Sequence, residues 1–151
     1  MNCRSIKRLF SWWWILCVAT VAFGSEPAPE APPVTSDDRE AAISAVETWL
    51  KLLDSGKFRA SWESASDLLR KRVSEDRWRE VIRSVRESLG TVNGRKLLKV
   101  RYAHTLPGVP PGDYLVMEFS TKFAEKPDAI ETVTPVRTED NTWKVYGYYV
   151  R

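Results

Sequence analysis

After a proline-rich stretch, apolar side chains recur every three or four residues, which is the spacing of amphipathic helices. This pattern predicts three helices. The first begins at Asp37, with Glu40 as its capping-box partner, and ends at Gly56, because glycine readily adopts the left-handed conformation that closes a helix. The second covers residues 57–70. The third covers residues 74–90, with a serine cap at its start and a glycine at its end.

The pattern then changes to alternating apolar and polar residues, which is typical of half-buried strands. It predicts four strands, at residues 95–106, 114–123, 129–137 and 142–150. The proline- and glycine-rich segment 107–112 is either a stiff hairpin connection or a recognition loop. Short connections suit antiparallel neighbours. Helices followed by consecutive strands predict an α+β domain, in which the three helices pack on one face of a curved, four-stranded antiparallel sheet.

Alternation also assigns side chains to the faces of the sheet. In the first strand it places Leu98 on the same face as Val100, and in the last strand it places Tyr146 with Tyr148, opposite Tyr149. On the third helix, four arginines are predicted opposite the apolar stripe, where interleaved glutamates would pair with them. These are Arg77, Arg79, Arg83 and Arg86.

The first 24 residues have the organisation of a secretory signal peptide. A short basic region precedes an uncharged apolar run at residues 9–23, and small residues flank a cleavage site before Ser25. A spanning helix needs about 20 apolar residues, and this run is shorter. We therefore expect a periplasmic or secreted protein with a signal peptide at residues 1–24, a proline-rich linker at 25–36 and one domain at 37–151. The alternative is an uncleaved membrane anchor, which the three consecutive tryptophans of the run favour.

Removal of the signal peptide changes the charge and the cysteine content. Of 23 basic residues three precede Ser25, which leaves 20 against 20 acidic residues. A near-neutral domain lacks the basic surplus that is typical of nucleic-acid binding. Cys3 and Cys17 are both lost, and with them any disulfide or thiolate site. We expect no nucleic-acid partner, no cofactor and no metal, and a membrane contact only through an uncleaved N-terminal segment.

Five side chains are candidates for a binding site or a catalytic site: His104, Glu131, Tyr102, Tyr114 and Tyr148. His104 falls on the apolar face of the first strand, and is either a general acid or base or a packed, neutral histidine. A glutamate in an apolar cavity, with a tyrosine as hydrogen-bond donor, can act as a base. The alternative for Glu131 is a place on the solvent face, like Glu118, with a basic partner on the next strand.

Several short motifs stand out together: Ser61-Trp62, Val73-Ser74 with Trp78, Leu89-Gly90 with Arg95-Lys96, Leu106-Pro107-Gly108, Gly112-Asp113-Tyr114, Phe119 with Phe123, Glu131-Thr132-Val133-Thr134-Pro135, Trp143-Lys144-Val145 and Gly147-Tyr148-Tyr149. They resemble the exported bacterial domain of unknown function family 4019, over about residues 41–151. The resemblance implies an exported domain with no assigned activity and no catalytic residues to transfer. The order of elements is also similar to NTF2-like and cystatin-like rolls, a likeness of architecture that does not fix function.

These patterns favour an exported domain that binds a small apolar ligand or an envelope protein without catalysis. Two alternatives remain. One is a small isomerase- or hydrolase-like enzyme with an acid or base in an NTF2-like pocket, and the other is a structural component of the envelope. The sequence has no nucleophile elbow, no calcium-loop spacing and no glycine-rich phosphate motif.

Overall fold

The computed structural model describes residues 34–151, which form four helices followed by four strands. The predicted signal peptide and most of the predicted linker lie outside the described residues. Among the described helices, none has both the length and the apolar composition that crossing a membrane requires. The elements are α1 (Ser36–Asp54), α2 (Phe58–Glu63), α3 (Asp67–Arg72), α4 (Glu75–Leu89), β1 (Val92–Ala103), β2 (Tyr114–Phe123), β3 (Ala129–Arg137) and β4 (Trp143–Val150).

The N-cap of α1 is Thr35, so the predicted cap at Asp37 is wrong by two residues. The Thr35 hydroxyl accepts a hydrogen bond from the Asp38 N–H at 3.1 Å, and the Asp38 carboxylate accepts one from the Thr35 N–H at 3.1 Å. Two capping boxes overlap in the sequence, and both have the required spacing. The earlier box forms, and Val34 beside it packs against the core.

The second predicted helix is interrupted, so the chain has two short helices in its place. α2 ends at Glu63, and the Ser66 N–H then donates a hydrogen bond to the Val145 carbonyl on β4 at 2.9 Å instead of continuing the helix. Its side chain then caps α3 by accepting a hydrogen bond from the Leu69 N–H at 3.4 Å. The break therefore supplies a partner for the edge of β4.

α4 confirms both of its predicted ends. Ser74 caps it, and Gly90 closes it with a φ of +75°. Trp78 and Ile82 lie on its buried stripe, but Arg86 lies there too. The prediction that this arginine points away from the apolar stripe is wrong, because its position four residues after Ile82 places it on the same side of the helix.

The sheet has the order β1-β2-β3-β4, with every neighbouring pair antiparallel. This confirms the predicted α+β fold with helices against a four-stranded antiparallel sheet. Leu115, Met117 and Phe119 of β2 are almost fully buried, in one apolar cluster with Val46 and Leu50 of α1. We call the face that carries them the inner face and the opposite face the outer face.

β1 begins and ends three residues earlier than predicted, and a bulge at Leu98 changes which side chains face inward. Leu97 pairs with Phe119, whereas Lys99 pairs with Glu118, so Leu98 is the extra residue of the bulge. Leu97 packs against the core, and Leu98 is 53 % exposed. The predicted inward face for Leu98 is therefore wrong, because an inserted residue shifts the alternation by one.

A register shift between β3 and β4 has the same effect on the last strand. Val145 and Tyr148 both pack against the core, although they are three positions apart and regular alternation would place them on opposite faces. Tyr149 is 64 % exposed on the outer face. Tyr146 stacks edge-on against Tyr114, with ring centroids 6.0 Å apart. Tyr146 and Tyr148 therefore lie on opposite faces, contrary to the prediction.

The buried tryptophans differ in how their indole N–H groups are satisfied. Trp49 donates to the Ser61 carbonyl at 2.7 Å, and Trp78 donates to the Ser61 hydroxyl at 3.0 Å. Trp143 is also buried, but its indole N–H has no hydrogen-bond acceptor among residues 34–151. A buried donor without an acceptor costs about 1–3 kcal/mol, so Trp143 is an exception that calls for an explanation.

Candidate functional site

The structure divides the five candidate residues into two groups. Glu131 and Tyr148 meet on the inner face, where the Tyr148 hydroxyl donates to Glu131 Oε1 at 2.6 Å. His104, Tyr102 and Tyr114 lie around the connection between β1 and β2. The candidates therefore do not form a single site.

His104 is exposed in a bend just after β1, not on the apolar face of a strand as predicted. Its carbonyl accepts a hydrogen bond from the Gly112 N–H at 2.9 Å, which closes the connecting loop. Within residues 34–151, no carboxylate lies within ion-pair distance of its ring. The described residues therefore give this imidazole neither an apolar strand face nor an orienting carboxylate.

Tyr114 and Tyr102 fix the proline- and glycine-rich segment to the sheet. The Tyr114 hydroxyl donates to the Pro110 carbonyl at 2.8 Å, and burial raises the pKa of this tyrosine. Tyr102 donates to Asp113 Oδ1 at 2.9 Å. Its pKa is raised by burial and then by the Asp113 carboxylate. These contacts favour a stiff connection over a mobile recognition loop.

Glu131 has no exposed surface, and it lies on the inner face instead of the solvent face. Its Oε2 accepts hydrogen bonds from Arg95 Nε and Thr121 Oγ1, both at 2.5 Å. Its Oε1 accepts from the Tyr148 hydroxyl at 2.6 Å, from Arg95 Nη2 at 3.3 Å and from Arg86 Nη1 at 3.4 Å. Both carboxylate oxygens are thus surrounded by donors.

Asp54, at the end of α1, is the second carboxylate of this group. It binds Arg86 Nη2 at 2.6 Å through Oδ1, and it binds Arg95 through both oxygens, at 2.8 and 3.0 Å. Two carboxylates and two guanidiniums therefore alternate, with no net formal charge. We call Asp54, Arg86, Arg95, Glu131, Thr121 and Tyr148 the buried charge cluster.

The contacts within the cluster shift the pKa values of Asp54, Arg95 and Tyr148. Burial raises the pKa of Asp54, but the hydrogen bonds and charges of Arg95 and Arg86 outweigh burial, so this pKa is lowered. Burial lowers the pKa of Arg95, and the two carboxylates raise it by more. Burial and then the charge of Glu131 raise the pKa of Tyr148, which keeps the phenol protonated as a donor.

The cluster joins α1 and α4 to all four strands. Arg86 adds a further contact, because its guanidinium lies 4.9 Å from the centroid of the Phe123 ring. Such a cation–π contact contributes about 0.5–2 kcal/mol. Removing one partner of a buried ion pair typically costs about 3–5 kcal/mol, because the other charge stays buried without compensation.

Sequence reasoning found Glu131 and Tyr148 but missed the other four members of the cluster. For two of these four, the sequence does contain a signal of burial. Arg86 follows Ile82 at helical spacing on the buried stripe, and Thr121 occupies an inward position between Phe119 and Phe123. The sequence pattern does not indicate that Arg95 is buried, because the bulge at Leu98 reverses the face that alternation assigns to the residues before it.

The chemistry available to the cluster is limited by its own contacts. Every oxygen of Glu131 is engaged, so the carboxylate is not free to accept a proton from a substrate. Asp54 and Arg95 reach the surface at a depression of about 250 Å³, beside Glu47 and Lys51. Residues 34–151 contain no group of three or more histidine, cysteine or acidic side chains placed to hold a metal ion.

A larger groove, of about 700 Å³, lies between α1 and the turn that joins β3 to β4. The Asp140 carboxylate lies on its rim, where hydrogen bonds from Thr138 and Thr142 lower its pKa to about 2. The basic Lys144 also lines the groove, so the rim has side chains of both signs. The apolar residues of the groove are Ala41, Ala45, Trp49, Leu52, Trp143 and Val145, and the polar ones are Ser44, Thr48, Ser64, Asp140, Asn141, Thr142 and Lys144.

Comparison with protein-family models gives a match to Protein of unknown function (DUF4019) over residues 45–148. The match includes every member of the buried charge cluster and most of the residues around the groove. A comparison with curated proteins finds no match. Because the matched residues make up more than half of the sequence and run from α1 into β4, the chain belongs to the DUF4019 family.

Proposed function

We propose that this chain is an exported, non-catalytic binding domain that holds a small apolar ligand in the groove between α1 and β4. The observation that carries the proposal is the groove itself. Its volume of about 700 Å³ falls within the range of small-molecule sites. Its walls combine alanine, leucine and tryptophan side chains with a few polar groups at the rim, which is the usual composition of such sites.

Trp143 indicates one chemical feature of the ligand. It lines the groove, and its buried indole N–H has no acceptor among the described residues. The surrounding side chains close this N–H to the groove, so a carbonyl or hydroxyl oxygen on the ligand would supply the acceptor only after they move. Asp140 and Lys144 give the groove one acidic and one basic side chain, which favours a ligand without net charge. We therefore propose a neutral, largely apolar molecule with one oxygen acceptor.

Two further observations support binding over catalysis. Glu131 and Tyr148, the pair that an isomerase-like mechanism would use, are locked in the buried charge cluster. His104 is exposed in the bend that follows β1. Export is supported by the sequence of residues 1–24, with its basic start, its apolar run and its small residues before Ser25.

The test is native mass spectrometry of the gene product, expressed with its own N-terminal segment and recovered from the cell envelope. The variant Thr48→Trp places a large side chain in the groove from an exposed position of α1. Its matched control is Ser84→Trp, an exposed position of α4 outside the groove. Circular dichroism checks that both variants keep their secondary structure.

The proposal predicts a mass that begins at Ser25 and carries an added ligand. The added mass should disappear in Thr48→Trp and persist in Ser84→Trp. A bare mass from the wild-type chain would contradict the proposed ligand and favour a protein partner. An intact N-terminus, recovered only with membranes, would contradict cleavage and make the chain an anchored domain.

A further inference from the structure

The outer face of the sheet presents side chains in rows that cross the strands. Lys99, Glu118, Thr132 and Tyr149 are consecutive partners across β1 to β4 and form one row. Such a row spans about 14 Å, since neighbouring strands are about 4.8 Å apart. Rows on one face recur every second residue, at about 7 Å along the strand. The face is therefore broad enough to contact an extended surface.

This face carries a surplus of positive charge. Its only carboxylate among the described strand residues is Glu118, and Arg151 pairs with it at 3.7 Å. Lys96, Lys99, Arg101 and Lys122 have no carboxylate within ion-pair distance in residues 34–151, and all four are exposed. The strand register places six cations on the outer face: Lys96, Lys99, Arg101, Lys122, Lys144 and Arg151.

The surplus contrasts with the near-neutral charge of the chain after residue 24. Residues 34–91, which form the helical side, carry 11 acidic and 11 basic side chains, and the compensating acids lie in the connections of the sheet, at Asp113, Glu125, Asp128, Glu139 and Asp140. The domain is therefore polarised, with a cationic outer face on one side and a helical side of no net formal charge on the other. A negatively charged surface would orient it with the sheet toward that surface.

Exposed apolar and aromatic side chains accompany these cations. Leu98 stands out at the bulge of β1 with 53 % of its surface exposed, and Tyr149 on β4 is 64 % exposed. Cations that flank exposed leucine and tyrosine side chains are the combination that binds the interface of an anionic bilayer. An acidic polymer would attract the cations equally well, but it would leave the exposed leucine without a role.

We infer that the outer face of the sheet, centred on Lys96, Lys99 and Arg101, docks on a membrane surface rich in anionic phospholipid. The cations contact the phosphate groups, and Leu98 and Tyr149 enter the boundary between head groups and acyl chains. This contact is separate from the groove between α1 and β4, so either can exist without the other. It also requires no spanning helix.

The test compares binding of the exported protein to vesicles of phosphatidylcholine with and without phosphatidylglycerol, measured by flotation. The outer-face variant carries Lys96→Gln, Lys99→Gln and Arg101→Gln. The matched control removes three exposed cations from the helical side, Lys51→Gln, Lys71→Gln and Arg83→Gln, so its net charge is the same. Urea unfolding of both variants checks that their stability is unchanged.

Wild-type protein should bind the vesicles that contain phosphatidylglycerol and lose this binding at high salt. Each cation near an anionic surface strengthens binding about fivefold, so the outer-face variant should bind about a hundredfold more weakly. The control should lose less than about fivefold. Equal losses in both variants would overturn the inference, as would equal binding to both kinds of vesicle. Binding to soluble polygalacturonate without binding to vesicles would also overturn it.

Discussion

Glu131 and Glu118 are the two glutamates within strands, and they lie on opposite faces of the sheet. Glu131 has no exposed surface and is bound by two arginines, a tyrosine and a threonine. The Glu118 side chain is 33 % exposed and has one arginine at 3.7 Å. The same side chain thus belongs to a closed, charge-balanced cluster on one face and to a solvated ion pair on the other.

The difference shows why alternation alone cannot assign a role to a charged residue in a strand. Burial in a medium of low dielectric makes each lost partner expensive, whereas water replaces a lost partner on the surface. The inner face therefore needs its charges for stability. On the outer face, water solvates the charges, and Lys96, Lys99, Arg101 and Lys122 have no acidic partner among residues 34–151.

The largest expected effect comes from Glu131→Gln, which keeps the shape of the side chain and removes its charge. We expect the free energy of unfolding to fall by about 3–5 kcal/mol, because two arginines then share one carboxylate in the interior. Urea unfolding at neutral pH measures the change. A loss below about 1 kcal/mol would mean that the cluster is solvated, contrary to its burial in the structure.

Tyr148→Phe should have the next largest effect, because it removes the 2.6 Å hydrogen bond to Glu131. Hydrogen bonds to charged groups contribute about 1.5–3 kcal/mol, so we expect a loss of that size. The pKa of Tyr148 is raised in the folded state. Its contribution is therefore fully present below the unfolded pKa of about 10 and is lost as the pH rises through the folded pKa.

Urea unfolding at several alkaline pH values checks this prediction. The difference in stability between wild type and Tyr148→Phe should shrink as the pH rises above about 10. Tyr149→Phe is the matched control, since its exposed hydroxyl lies outside the cluster. A constant difference between wild type and Tyr148→Phe at every pH would argue against the coupling of this tyrosine to Glu131.

Asp54→Asn tests the more accessible end of the cluster, where the carboxylate is 26 % exposed. We expect a loss of about 1–2 kcal/mol at neutral pH, because water screens part of the attraction to the two arginines. The pKa of Asp54 is lowered by folding. Its contribution is present above the unfolded pKa of about 3.9 and is lost as the pH falls through the folded pKa. The free energies of unfolding of wild type and Asp54→Asn should therefore converge as the pH falls. A constant difference at every pH would count against this assignment.

Glu118→Gln should have the smallest effect, below about 1 kcal/mol, because an exposed ion pair at 3.7 Å contributes little. Thermal unfolding alongside Glu131→Gln gives the comparison under identical conditions. Similar shifts in the melting temperature of the two variants would contradict the distinction between the inner face and the outer face.

The strands differ in how far the sequence could predict them. β2 and β3 have the predicted bounds, and the pairing between them has no register shift. In β1 and β4, the faces of the side chains differ from the prediction from Leu98 and Tyr146, where register shifts occur that the local sequence pattern does not predict. Inserted residues reverse the faces, and they explain why Arg95 and Tyr148 point inward.

The buried charge cluster could not be predicted from sequence spacing, because its contacts join residues that are far apart in the chain. Asp54 and Arg95 are separated by 41 residues, and Arg86 and Glu131 by 45. Each side chain taken alone fits a solvated helix end or strand face, and only the packing of α1 and α4 against the sheet brings them together. The fold class follows from periodicity, whereas the cluster follows from tertiary packing.

A double-mutant cycle between Arg95 and Glu131 tests most directly whether the inner face is a charge-balanced cluster. The variants are Arg95→Met, Glu131→Gln and the combination of both, with free energies of unfolding measured in urea. Because Arg86 and Asp54 still balance each other when both charges are removed, the double variant should lose at least about 2 kcal/mol less than the sum of the single losses. Additive losses, within about 0.5 kcal/mol, would contradict the cluster.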